Sequence, residues 1–168
     1  YKSIQYSENL EIRLIPSPGY KKNIGLGRLF DHIILAKNLK KLLKQEKVKP
    51  NAAFVGYPPI EAASAMTHWL KKRNIPCLLD IKDQWPSFIV DSLPRGFRSI
   101  GRVMLYPYFY LAKRAMRETT GLTAMADDFL KWAVDFSNRE ITNNNLTVPL
   151  TTKIFKISDG DRNTAIKW

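Results

Sequence analysis

The 168-residue chain has few of the residues that build disulfide frameworks and metal sites. It contains one cysteine, Cys77, and two histidines, His32 and His68. A single cysteine excludes an internal disulfide framework and is typical of a reducing compartment. Because Cys77 begins an apolar segment, we interpret it as a buried thiol. Neither histidine has a second ligand at metal-binding spacing, so the sequence predicts no metal site.

Long apolar runs and nucleotide-binding glycine motifs are also missing. No apolar stretch reaches the roughly 20 residues needed to span a bilayer. Gly25-Leu26-Gly27-Arg28 matches neither GxGxxG nor GxxxxGK[ST], and G-x-S-x-G does not occur. A nucleotide site is therefore not expected at this loop. Arg28 remains a candidate for binding an anion at a helix start, with a solvated arginine as the alternative.

Acidic residues are outnumbered, with 15 Asp and Glu against 27 Lys and Arg and a net charge of +12. This excess favours a polyanionic neighbour such as nucleic acid, anionic lipid or a phosphorylated ligand. An uncommitted basic surface is the alternative. No recognisable DNA- or RNA-binding motif accompanies the charge, so nucleic acid is not expected as a partner.

Short apolar segments alternate with longer amphipathic ones, and hydrophobic residues make up 45% of the chain. This pattern predicts an α/β fold with a Rossmann-like, doubly wound, mostly parallel sheet over residues 1–148. Residues 149–168 show no period and are interpreted as a linker or tail. Strands are expected within 3–16 and at 52–57, 77–81 and 122–125. Helices are expected at about 28–46, 60–73, 97–118 with interruptions at Gly101 and Pro107, and 127–136 with Asp127 as N-cap.

The segment from Asp80 to Pro86 ends an apolar strand with two carboxylates, a tryptophan and a proline. Ligands of open α/β sheets bind outside the carboxyl ends of the strands, so Asp83 and Trp85 are candidate site residues. Asp80 and Asp83 point to opposite faces of an extended segment, so they are not predicted to form an acid/base pair. The alternative is a structural loop with Trp85 packed over the sheet edge. Tyr57 ends a second strand, shortly before the start of a helix. This strand-to-helix transition is a second candidate site, with a plain turn as the alternative.

The segment from Ser92 to Arg117 contains no acidic residue. On a helix at ~100° per residue, its basic and aromatic side chains share one arc, formed by Arg95, Arg98, Arg102, Tyr106, Phe109, Lys113 and Arg117. The other face is expected to pack on the sheet and consists of Phe97, Ile100, Met104, Tyr108, Leu111 and Ala115. A basic arc with aromatic residues is typical of contact with an anionic membrane. A solvated charged face is the alternative.

Four segments resemble the N-terminal domain of group 1 (family 4) glycosyltransferases, which have the two-domain GT-B fold. They are Gly25 to Arg28, Lys49-Pro50-Asn51, Tyr57-Pro58-Pro59 and Asp80-Ile81-Lys82-Asp83-Gln84-Trp85-Pro86. The last segment is similar to the Asp-Ile-Arg-Asp-x-Trp-Pro strand end of members that build bacterial surface polysaccharides, with Lys82 in place of arginine. Thr123 to Trp132 is similar to a strand-then-helix segment of the family, with Ala126-Asp127 where serine is usual. The resemblance covers residues 10–148.

The resemblance implies one half of a retaining glycosyltransferase that moves a sugar from a nucleotide-sugar donor to a glycan acceptor. The acceptor is expected to be lipid-linked and to bind this domain, with Asp83, Trp85, Tyr57 and Arg28 as acceptor-binding residues and Asp83 as the candidate catalytic residue. The donor would bind a separate C-terminal domain, so no cofactor or metal is expected on this chain. We expect a peripheral location on the cytoplasmic face of the cell membrane.

Two elements of the family have no counterpart in the sequence: a first strand with its glycine-rich loop, and the donor domain. We therefore expect either a fragment or a half-enzyme completed by a partner chain, inactive by itself. Two other functions stay open, namely a non-catalytic docking subunit of a split glycosyltransferase and a basic nucleic-acid-binding domain favoured only by charge.

Overall fold

The computed structural model describes residues 1–21 and 25–150, which form a hairpin, a parallel sheet and six α-helices. The hairpin pairs β1 (Lys2–Ser7) with β2 (Leu10–Leu14) in antiparallel register. The elements that follow are α1 (Leu26–Gln45), β3 (Ala53–Tyr57), α2 (Ile60–Lys72), β4 (Cys77–Ile81), α3 (Ser87–Asp91), a 3₁₀ turn (Arg95–Phe97), α4 (Arg98–Met104), α5 (Tyr106–Arg117), β5 (Gly121–Ala124), α6 (Asp127–Ser137) and β6 (Leu146–Thr147).

The four later strands form one sheet in the order β3-β4-β5-β6, and every neighbouring pair is parallel. The predicted fold class, a Rossmann-like α/β fold with a mostly parallel sheet, is confirmed. Parallel strands joined through helices all end at the same edge of the sheet. The residues that follow β3 and β4 are thereby brought side by side.

One face of the sheet carries the main hydrophobic core. The inward residues of β3, β4 and β5 lie in register, with Tyr57 opposite Ile81 and Ile81 opposite Ala124. Helices α2, α5 and α6 pack on this face through buried small and apolar side chains, including Ala63, Ala112, Ala115, Met116, Ala133 and Val134. Because alanine is small, its presence at these positions lets the helices lie close to the strands.

The opposite face of the sheet is covered less completely by the described residues. Phe54 of β3 is 65% exposed, and Leu78 and Asp80 of β4 are half-buried. Helix α1 packs on α2 and not on this face of the sheet. Between the two helices, Leu39, Leu43 and Ala65 form a second hydrophobic cluster. Both faces of a parallel sheet are usually covered, so the exposure of this face among the described residues is unusual.

The basic segment after β4 folds differently from the single helix expected at 97–118. Helix α4 ends at Met104, and α5 begins at Tyr106 with a proline in its first turn. Tyr108, Leu111 and Ala115 pack against the core as predicted. The expectation that Phe97, Ile100 and Met104 face the sheet is wrong, because all three are exposed. The break before Pro107 separates the two helices, so the phase of one does not continue into the other.

Two details near the C-terminal end of the described chain also differ from the expectations. Asp127 is not the N-cap of α6, since Ala126 holds that position without a side-chain cap. The Asp127 carboxylate instead accepts a hydrogen bond from the Thr147 hydroxyl. Thr147 lies in β6, a two-residue strand that was not predicted because it is too short to show alternation. Residues 151–168 of the expected tail lie outside the described residues.

Replacement of Leu79 tests which face of the sheet carries the stability. Leu79→Ala removes a fully buried side chain and is expected to lower the free energy of unfolding by about 2–5 kcal/mol. Phe54→Ala is the matched control on the exposed face and should cost less than about 1 kcal/mol. Urea unfolding followed by circular dichroism measures both. Equal losses would contradict the assignment of the core to one face.

Candidate functional site

The candidate site lies at the edge of the sheet where β3 and β4 end. Helix α2 begins three residues after the end of β3, and the loop that follows β4 carries Asp83 and Trp85. The N-terminal turns of α1 reach the same edge, which brings Arg28 to Trp85. Gly25 precedes α1 with a φ of 143°, a backbone conformation that favours glycine.

Tyr57 connects the core to this loop. Its side chain is fully buried, and its hydroxyl donates a hydrogen bond to the backbone carbonyl of Trp85. Burial raises the pKa of Tyr57 well above its usual range, and the nearby charges of Asp83 and Glu61 raise it further. The hydroxyl therefore stays protonated and keeps donating. Because Tyr57 is buried, it can influence a ligand only by holding Trp85 in place.

Arg28 and Trp85 meet although they are far apart in the sequence. The Arg28 guanidinium carbon lies 4.6 Å from the centre of the Trp85 ring and 5.9 Å from that of Tyr20. Contact within about 6 Å of an aromatic face is a cation–π interaction. It keeps a cationic, planar hydrogen-bond donor beside the Trp85 ring, an arrangement suited to an anionic or hydroxylated ligand.

The two aspartates of the β4 end have different surroundings. Asp83 is half-buried, and its Oδ1 accepts a 2.7 Å hydrogen bond from the backbone N–H of Gln84. No other group within residues 1–21 and 25–150 bonds to this carboxylate, so the second oxygen can accept from a ligand. Asp80 instead accepts a 2.8 Å bond from the Thr123 hydroxyl and lies 3.6 Å from the Lys82 ammonium. The two carboxylates thus have different hydrogen-bond partners, and their orientation towards opposite faces stays a prediction.

A buried polar cluster lies beside these residues and was missed by the sequence analysis. His32 of α1 and Glu61 of α2 are both more than nine-tenths buried, with 3.7 Å between His32 Nδ1 and a Glu61 oxygen. The charge of Glu61 also acts on the hydroxyl of Tyr108 from α5. Next to His32, the carboxylate of buried Asp31 accepts a 2.6 Å hydrogen bond from the Gly19 N–H. Three helices thus contribute ionisable groups to one position.

The electrostatics of this cluster follow from its burial. Burial raises the pKa of Tyr108 to about 12, and the Glu61 charge acts in the same direction. Burial also lowers the pKa of His32, more than the nearby Glu61 charge raises it, so a neutral imidazole is favoured. The second Glu61 oxygen, Oε1, is buried and has no hydrogen-bond partner among the described residues. An unpaired buried oxygen is costly, so it is suited to accept a hydrogen bond from a hydroxyl.

A sequence signal for this cluster was present. His32, Ala36, Leu39 and Leu43 follow helical spacing, and the structure buries all four. A histidine that continues the apolar stripe of an amphipathic helix is expected to be buried with a polar partner. Its partner Glu61 comes from another helix, and single-sequence spacing gives no sign of such a contact.

The predicted membrane-surface residues lie on a 3₁₀ turn and two helices, and not on the one continuous helix from which their arc was predicted. Arg98 donates to the carbonyls of Leu93 and Asp91 at 3.1 and 2.8 Å, so it stabilises the preceding loop. Arg102 of α4 lines one groove together with Tyr106, Phe109, Lys113 and Arg117 of α5, whereas Arg95 is exposed outside its lining.

The part of the chain that the structure describes has no group of three or more His, Cys, Asp or Glu side chains placed to hold a metal ion. Each histidine instead faces one glutamate, His32 with Glu61 and His68 with Glu118. No helix among the described residues is both long and apolar enough to cross a membrane.

His32 should make the fold sensitive to mild acid. Since its folded-state pKa is lowered, the unfolded chain binds the proton first. The stability from neutral His32 is therefore present above the ordinary pKa and lost as pH falls through the lowered one. We expect the urea midpoint to fall as pH decreases from about 7 to about 5, and to fall less in His32→Gln.

The control for this prediction is His68→Gln. This change removes the other histidine at a partly exposed position, so comparison of the two variants assigns the pH-dependent fall to one of them. An unchanged pH dependence in His32→Gln would show that His32 is not the group responsible.

Comparison of the chain with protein-family models, with curated proteins and with solved structures gives no match in any of the three. A functional assignment therefore depends on the geometry of the site and on the motifs of the chain itself.

Proposed function

We propose that the chain is the acceptor-binding half of a retaining glycosyltransferase in cell-surface polysaccharide synthesis. The full activity transfers a sugar from a nucleotide-sugar donor to a glycan acceptor that is carried on a lipid. This chain binds the acceptor, and a donor domain in the same protein or in a partner chain binds the nucleotide sugar. The observation that supports this most directly is the contact of Arg28 with Trp85, in the loop that also carries Asp83, at the carboxyl edge of a parallel sheet.

The chemistry of these groups suits a hydroxylated acceptor. A carboxylate such as Asp83 accepts hydrogen bonds from sugar hydroxyls and can assist removal of a proton from the attacking one. Arg28 and Trp85 offer a cationic and an apolar surface side by side. A site with a carboxylate, a guanidinium and an aromatic ring can recognise sugars by hydroxyl position.

Asp83→Asn tests this proposal in the protein that contains both the acceptor and donor domains. The change keeps the shape of the side chain but removes its charge, so kcat/KM for the acceptor should fall by roughly 10- to 100-fold. Transfer from labelled nucleotide sugars to soluble and polyprenyl-linked acceptors measures it.

Asp80→Asn is the matched control for the activity test. It makes the same chemical change three residues away, at a side chain bound to Thr123 on the other side of the strand. Its kcat/KM should stay within about twofold of wild type. Unchanged turnover in Asp83→Asn would remove Asp83 from acceptor binding and chemistry.

The exposed surface of α4 supports a peripheral position on the cytoplasmic face of an anionic membrane. Val103 and Met104 are each 76% exposed, and Phe97 and Ile100 are also exposed on the same short segment. Arg95 and Arg102 are exposed next to them. Apolar side chains flanked by cations bind membrane interfaces, because the side chains enter the acyl boundary while the cations meet anionic headgroups.

Removing the apolar side chains of α4 tests the membrane contact. Val103→Ser together with Met104→Ser should weaken binding to anionic vesicles by about tenfold, since each buried methylene contributes to insertion. Val48→Ser with Ile141→Ser is the control, because both side chains are similarly exposed elsewhere on the surface. Co-sedimentation with vesicles measures binding, and equal binding by both double variants would contradict the role of α4.

A non-catalytic docking subunit is the second candidate, and one observation favours it. The sheet face with exposed Phe54 offers an apolar surface on which another domain could pack. A docking subunit would leave transfer by its partner dependent on complex formation and insensitive to Asp83→Asn, so the activity test separates the two functions.

A further inference from the structure

An open groove of about 880 Å³ runs along the outer side of α5 towards the end of α6. Its walls carry Arg102, Tyr106, Lys113 and Arg117, which project from α4 and α5, and Phe136 from α6. Its volume lies within the range of small-molecule sites in proteins. It is separate from the carboxyl-edge site, since neither Asp83 nor Trp85 lines it.

Some of the basic side chains that line the groove hydrogen-bond to other parts of the protein, and others do not. Arg117 donates through Nε to the Ser137 carbonyl at 2.6 Å, and Arg114 donates to the Ser64 hydroxyl at 2.9 Å. Within the described residues, Arg102 and Lys113 make no hydrogen bond or ion pair, and Lys113 only lies 5.5 Å from the Phe136 ring centre. Two acids also line the groove, and one of them, Glu118, is bound to His68 at 2.9 Å.

Aromatic rings shape the floor and rim of the groove. Phe109 and Phe136 pack with ring centres 5.8 Å apart, and Trp132 stacks on Phe136 at 4.9 Å. Tyr106 and Tyr110 are exposed on the same strip of α5, so their hydroxyls can donate to a ligand. Cations and hydroxyl donors around a concave surface match the oxygens of a phosphate group.

The exposed apolar surface of α4, next to the groove, favours one class of phosphate compound over the others. Val103 and Met104, the exposed apolar residues of α4, directly follow Arg102 in the chain. Val103 and Met104 do not line the groove, but they are exposed on the same short helix that brings Arg102 to it, so a membrane surface that binds these apolar side chains also lies near the groove. A phosphate attached to a hydrocarbon chain matches both parts, whereas a free phosphate or a nucleotide matches only the first.

We infer that the groove between α5 and α6 binds the phosphate headgroup of a membrane lipid, with Arg102 and Lys113 as its principal ligands. This rests on the proposed function in one respect, because it gives the lipid-linked acceptor, or a lipid beside it, a phosphate-binding position. The groove would hold the headgroup near α4 while the glycan reaches the carboxyl edge.

The test uses vesicles of phosphatidylcholine that contain either phosphatidic acid or phosphatidylserine at matched surface charge. Wild type is expected to bind the phosphatidic acid vesicles more tightly, because their phosphate monoester is accessible to Arg102 and Lys113. Arg102→Gln with Lys113→Gln should weaken this binding roughly 10- to 30-fold, since each cation near an anionic surface contributes a similar increment.

The matched control is Lys44→Gln with Lys72→Gln, two exposed lysines on α1 and α2. It removes the same net charge and should change binding by less than about threefold. Arg102→Lys with Lys113→Arg keeps both charges and should retain binding, which guards against a variant that only perturbs folding. Equal weakening in both neutralised pairs would overturn the inference, because net charge alone would then explain binding.

Two other results would overturn it in favour of a different ligand. If glycerol phosphate or inorganic phosphate shifts the NMR resonances of Tyr106 and Phe109 while vesicles do not bind, the ligand is a free phosphate. If a single-stranded oligonucleotide binds through Lys113 at ~150 mM salt and vesicles do not, it is nucleic acid. Transfer to a soluble acceptor does not depend on the groove, and its response to Asp83→Asn tests the proposed function. Vesicle binding by the variants of Arg102 and Lys113 tests the groove, so either proposal can fail without the other.

Discussion

The hydrogen bond from the buried Tyr57 hydroxyl to the carbonyl of Trp85 joins the core of this protein to its candidate site. The ring of Tyr57 belongs to the face of the sheet on which α2, α5 and α6 pack, and its hydroxyl fixes the loop that follows β4. The position of Trp85 in turn determines where Arg28 can lie, since their contact joins that loop to α1. A change in core packing at Tyr57 is therefore transmitted to the arginine and the aspartate at the sheet edge.

The strands and most helices could be predicted because their signals are local. Alternation and helical spacing are properties of a single segment, and they gave β3, β4, α1 and α2 close to their observed bounds. The prediction that Asp80 and Asp83 point to opposite faces is local in the same way, since it depends on three consecutive peptide units. The contact of Arg28 with Trp85 was not, because it depends on how α1 packs beside the loop.

The predictions that were wrong or missing concern features that depend on residues distant in the sequence, or on the direction in which a helix leaves the preceding loop. Phe97 and Met104 have the spacing of a core stripe, but the break at Leu105 directs α4 away from the sheet. His32 continues the apolar stripe of α1, but its contact with Glu61 has no sequence signal, because only the packing of α1 on α2 brings the two together. Ala126 replaces Asp127 at the helix start because the carboxylate has a partner in β6, a strand too short for sequence patterns to detect.

The hairpin of β1 and β2 has a consequence for the motions of the protein. Both strands are exposed along their whole length. The contacts that join the hairpin and the residues just after it to α1 and its C-cap include the Arg13–Glu46 ion pair, the Asn38–Pro16 hydrogen bond and the packing of Ile15 on the cluster of Leu39, Leu43 and Ala65. A two-stranded hairpin of this kind is only marginally stable by itself. Its local opening exposes little buried surface, so it needs much less free energy than global unfolding. The hairpin can therefore exchange its amide hydrogens, or pair its free edges with another strand, while the parallel sheet and its site stay folded.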